Sequence, residues 1–168
     1  MAISNNAWKV LVAFSALGLA LPATAQQADA ALYRELARAL RKELPKGQIL
    51  LEPYYLAATR ATGAIERPLA AAVRVVLQES LEADTARMRD VASCPGRLPE
   101  NCRLSRGVAV VRIGEPRVTG DTARVDVYYA VQTGSPRTPV GQSEVLFVLV
   151  HRAGIGWQVV ERILVSMT

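Results

Sequence analysis

From Thr122 to Val131 the chain alternates without a break. Ala123, Val125, Val127, Tyr129 and Val131 fall on one parity, and Arg124, Asp126 and Tyr128 on the other. A period of two sends successive side chains to opposite faces, so this segment must be a strand with one face in a core and the other wetted. It cannot be a helix, and it commits the second half of the chain to a sheet. Gly107 to Ile113 precedes it as another strand, with two alternatives: it ends there, or it resumes after Gly114 as far as Val118. Thr119-Gly120-Asp121 reverses the chain. Glu144 to His151 is almost continuously apolar, as a central strand is. Ala153-Gly154-Ile155-Gly156 then turns into a last strand, Trp157 to Val165. Thr133 to Gly141 is a loop rich in Pro and Gly.

The first half is helical. Leu32, Leu36, Leu40 and Leu44 recur every four residues and make one buried stripe over Ala30–Leu44. Asp29 is the expected N-cap, and Pro45 and Gly47 stop the helix. Arg34, Arg38, Arg41 and Lys42 lie on another face, interrupted by Glu35 and Glu43, which reads as a solvated surface. Gln48 to Leu56 is extended, with Pro53 restricting it to a sheet edge. Thr59 to Glu66 is a turn around Gly63. A second helix starts at Pro68, keeps its period through Leu69, Val73, Val76, Leu77, Leu81 and Met88, and runs to about Asp90. Helices followed by strands indicate an α+β domain.

Residues 1–25 are of another kind. Lys9 precedes an apolar run from Val10 to Leu21, Pro22 ends it, and Ala23-Thr24-Ala25 has the form of a cleavage site. This is the pattern of a secretory signal peptide. The run is shorter than the roughly 20 residues needed to cross hydrocarbon. The expected mature chain is therefore a single domain over residues 26–168, extracytoplasmic (periplasmic or secreted), with no transmembrane span. Its two cysteines, Cys94 and Cys102 in CPGRLPENC, are expected to form a disulfide, as close cysteine pairs do in exported proteins.

The chain carries 20 basic and 15 acidic residues, a formal charge of +5. The arginines are scattered among carboxylates, and the expected compartment holds no nucleic acid, so a nucleic-acid partner is not anticipated.

The stretches GEPRVTGDTARVDVYY and EVLFVLVHRAGIGWQVVE resemble the sheet of the NTF2-like superfamily, a cone-shaped α+β fold. Gly120-Asp121 stands where that superfamily turns between two long strands. Arg152, Gly154, Gly156 and Trp157-Gln158-Val159-Val160 are similar to its final hairpin. The resemblance spans residues 107–165. It implies N-terminal helices packed on an antiparallel sheet of four strands, or five. The superfamily includes isomerases, dehydratases, hydrolases and non-catalytic modules, so the fold does not choose a function.

An isomerase of that kind needs a carboxylate base in an apolar pocket, faced by hydroxyl donors. Glu161 and Asp126 are the candidate bases, and Tyr54, Tyr55 and Tyr129 the candidate donors. Glu161 stands out because simple parity places it on a face with Trp157, Val159, Ile163 and Val165. Asp126 and Glu144 are expected to share a face across paired strands, as an acid/base couple or, the commoner use, as cross-strand partners of Arg124 or Arg112. Tyr54, Tyr55 and Trp157 are the candidate ligand-binding residues. His151, the single histidine, sits beside a turn and is expected to be an ordinary wetted side chain. No nucleophile elbow, phosphate loop or zinc motif occurs, and no metal or cofactor is called for. The absence of a convergent catalytic set favours an exported, non-catalytic binding or assembly module. An NTF2-like enzyme and a structural homodimer are the rival readings.

Overall fold

The computed structural model describes residues 23–56, 67–87, 90, 104–132 and 140–167, with side chains from Ala30 onward. The turn at 59–66, Met88, the cysteine loop and most of the 133–141 loop lie outside these residues. So do residues 1–22 of the expected signal.

Two helices and seven strands follow in the order α1 (Ala23–Arg41), β1 (Gln48–Leu51), α2 (Ala71–Leu81), β2 (Ala83–Thr85), β3 (Val108–Ile113), β4 (Arg117–Thr119), β5 (Thr122–Val131), β6 (Gly141–Arg152) and β7 (Gly156–Met167). The strands form one sheet in the order β2-β1-β3-β5-β6-β7, with β4 paired to β5. β1 runs parallel to both β2 and β3, and the remaining pairs are antiparallel.

This corrects the expected four- or five-stranded antiparallel NTF2-like sheet: the sheet is mixed and has seven strands. The difference has two physical sources. The helical period reads through Leu81, but Glu82 adopts a left-handed backbone (φ 53°) and its N–H closes the helix on the Gln78 carbonyl. Ala83–Thr85 is thereby released as a strand instead of continuing toward Asp90. β1 then pairs in parallel with β2 through the α2 crossover, a connection that parallel neighbours require. It also pairs with β3, Gln48 lying opposite Val108. A second correction concerns the cysteines. The expected disulfide between Cys94 and Cys102 is not formed, and both cysteines lie outside the described residues. Close spacing in sequence does not by itself aim two Cβ atoms at each other.

Both helices cover one face of the sheet. Leu32, Leu36, Leu40 and Leu44 are all buried there, as their spacing requires, with Val73, Leu77 and Leu81 of α2. They meet Ile49, Leu51, Val111, Ile113, Val125, Val127, Val145, Phe147 and Leu149. α1 begins directly after Pro22, ahead of the expected start at Ala30. The opposite, outer face has a smaller core at one end, where Leu104 and Val140 close over Leu50, Val108, Val110 and Ala130. Among the described residues no helix is long and apolar enough to cross a membrane.

Candidate functional site

A polar row crosses the outer face. Arg112 of β3 lies opposite Tyr128 of β5, Tyr128 opposite Glu144 of β6, and Glu144 opposite Ser166 of β7. Glu52, the residue after β1, extends the row: its carboxylate accepts from Arg112 Nε, and its backbone N–H donates to the Val111 carbonyl at 2.8 Å. At the other end the Ser166 hydroxyl reaches Glu144 Oε2 at 3.5 Å. Glu52 is 4% exposed. A carboxylate so buried is retained only if its charge is matched, and Arg112 matches it. Beside this pair the Arg87 guanidinium stacks 4.3 Å from the Tyr54 ring centre and donates to its hydroxyl.

The helix-covered face carries a second cluster. Glu43, just beyond α1, accepts from Arg162 of β7 and from the Tyr129 hydroxyl of β5 at 3.4 Å. The bond to Glu43 holds the Arg162 guanidinium above its ordinary pKa, against the opposing effect of desolvation, with Tyr129 adding to the rise. This arrangement fastens the end of α1 across three strands. Tyr55 lies on the same face: its hydroxyl accepts from that of Tyr33 at 3.3 Å, and Arg67 stacks 4.9 Å from its ring centre. Arg67 also pairs with Glu115, which raises its pKa.

The residues singled out by sequence are therefore distributed, not gathered. Asp126 is on the outer face and pairs with Arg117 at 3.0 Å. It shares that face with Glu144, as expected, two residues apart in register. Tyr129 is on the helix face, bonded to Glu43. Tyr54 and Tyr55 are both engaged by arginines. Trp157 packs against the main core, and His151, exposed, meets its ring edge-on at 5.2 Å. The Trp157 indole N–H is buried and has no acceptor among the described residues.

Glu161 lies elsewhere than parity predicts. Val148 pairs with Glu161 but Leu149 pairs with Val159, so Val160 is an extra residue, a β-bulge. The bulge turns Glu161 onto the outer face with Ile163, opposite to Trp157 and Val159, and exposes it to solvent. The pairings Glu52–Arg112 and Glu43–Arg162 are not signalled by the sequence. Their signal is tertiary: charges on elements 60 residues apart (Glu52–Arg112) or more. Among the described residues no group of three or more His, Cys, Asp or Glu side chains is placed to hold a metal ion.

The apolar surface is concentrated in one place. Val160, Ile163, Leu164, Val165 and Met167 are exposed large apolar side chains, all on β7, the edge strand. No family model, curated protein or solved structure matches this chain.

Proposed function

We propose that this chain works outside the cytoplasm as a non-catalytic module that binds or assembles through protein contact. The observation that supports this reading is the run of exposed apolar side chains on the β7 edge, since exposed apolar surface concentrated on one edge strand is suited to protein contact. The distribution of the candidate acids and bases agrees with it. Asp126 is neutralised by Arg117 and Tyr129 is bonded to Glu43, on opposite faces of the sheet. A reaction needs such groups to converge on one substrate. The signal-like residues 1–25 supply the compartment.

The test is the mass of the protein recovered from its export compartment, measured under native and denaturing conditions. A chain beginning at Gln26, bare or with a protein companion, is the expected result. A small molecule that co-purifies and is lost on denaturation would replace this reading with that of a ligand-binding or catalytic cavity.

A further inference from the structure

We infer that the β7 edge is the interface with a second copy of this chain, in a two-fold antiparallel arrangement; the inference rests on the reading of the chain as an assembly module. Eight large apolar side chains are exposed among the described residues, and five of them lie between Val160 and Met167. β7 is the last strand of the sheet and 12 residues long. Among the described residues no strand pairs with its outer side, which offers a run of backbone donors and acceptors about 40 Å in length.

The two ends of the sheet are treated differently. β2, at the far end, has 3 residues, of which Asp84 and Thr85 are exposed. A short polar strand is a common way to blunt an edge. β7 is protected less: no Pro and no Lys interrupts it, and its charges are confined to Glu161, which is exposed, and Arg162, which pairs with Glu43. The β7 backbone does contain two bulges, and bulges can discourage edge pairing. Here, however, their extra residues are Val160 and Val165, 49% and 54% exposed, so they add apolar surface where a protective device would add charge.

Strand length selects the occupant. Head-to-tail stacking would set the 12 residues of β7 against the 3 of β2 and leave most of the apolar run uncovered. It would also propagate without closing. Two copies of β7 cover each other's apolar run from Glu161 to Met167 and close after one contact. Charge then selects the register. Glu161 is the exposed carboxylate of this strand, and a pairing centred on it would oppose two like charges. Centring on Leu164 sets Ile163 against Val165 of the other copy. The two Glu161 carboxylates are then about 20 Å apart along the strands, beyond the screening distance of about 8 Å at physiological salt.

The experiment is sedimentation velocity on the mature full-length chain over a dilution series, for the natural protein, Leu164→Lys and Val118→Lys. Val118 is equally exposed but lies on β4. The natural protein and Val118→Lys should dimerise alike. Leu164→Lys should weaken the dimer about a hundredfold or more, because the two-fold axis brings two lysines together. Far-UV circular dichroism should be unchanged in all three, and Ile163→Glu provides a second variant should Leu164→Lys fail to fold. A natural protein that stays monomeric, a dimer that both β7 variants leave intact, or open-ended oligomers would overturn the inference. A monomer recovered with a different protein would sink this interface and leave the module reading standing. A β7-dependent dimer that retains a small molecule would do the reverse.

Discussion

Glu52, buried after the end of β1, is neutralised by Arg112 on β3, a strand that begins more than 50 residues later in the chain. Removing one member of such a pair costs more than removing both, because it leaves a charge without its partner. Arg112→Met should therefore destabilise the fold by about 2–4 kcal/mol, the lower end reflecting the partial exposure of Arg112. The double variant Glu52→Leu/Arg112→Met should recover most of that loss. Urea unfolding of the four proteins closes the cycle; a double variant whose loss equals the sum of the two single losses would mean that the pair is not coupled.

Leu36 is completely buried in the stripe that α1 presents to the sheet. Leu36→Ala should cost about 2–5 kcal/mol through lost burial and the cavity left behind. Arg34→Ala, on the exposed face two residues earlier, should stay within about 0.5 kcal/mol. Thermal unfolding of both variants checks the orientation of the helix.

Gly47 reads in sequence only as a helix stop. In the fold, a Cβ at this position would lie 1.9 Å from the Gly107 carbonyl oxygen, a backbone atom that has no side-chain freedom to move aside. Gly47→Ala should thus separate the start of β1 from that of β3 and lower stability by more than about 2 kcal/mol, at the high end for a single substitution. Hydrogen exchange would locate the damage: protection should fall first at Gln48–Leu51 and Val108–Val111.

Glu161 is the carboxylate that the sequence nominates most strongly, and the fold leaves it in solvent. Glu161→Gln should leave unfolding stability within about 0.5 kcal/mol. A substantial loss would show that the side chain is engaged in a way its exposed position does not provide for. Glu43→Gln should behave differently. It weakens two contacts at once, to Arg162 and Tyr129, and is expected to cost about 1–2 kcal/mol, measurable by chemical denaturation.

How much of this could be read in advance follows from the range of the forces involved. The α1 stripe and the β5 alternation are local patterns, and Leu32 to Leu44 and Ala123 to Val131 occupy the faces their spacing assigns. The end of α2 depends on one backbone angle at Glu82, which periodicity does not register. The face of Glu161 depends on a bulge at Val160, and one inserted residue inverts every parity argument beyond it. The Glu52–Arg112 pair is illegible for a different reason. Within QILLEPYYL the glutamate looks like the polar end of an edge strand, whereas β1 lies inside the sheet between β2 and β3. The expectation of a purely antiparallel sheet rests on residues 107–165 and omits β1 and β2, the strands before them whose parallel pairing makes the sheet mixed.

The parallel pairs at the β2 end of the sheet also set an order of events. β1 is synthesised first among the strands, yet its register with β3 joins positions 60 residues apart, Gln48 to Val108. Pairings of long sequence separation form slowly, because loop closure must precede any gain from contact. The hairpins β5–β6 and β6–β7 have no such delay. The C-terminal meander is thus placed to serve as the template onto which the earlier part of the chain docks. A polypeptide emerging from its N-terminus would hold Ile49, Leu50 and Leu51 uncovered until nearly two-thirds of the sequence had appeared, a waiting period in which a holding chaperone would have its binding site.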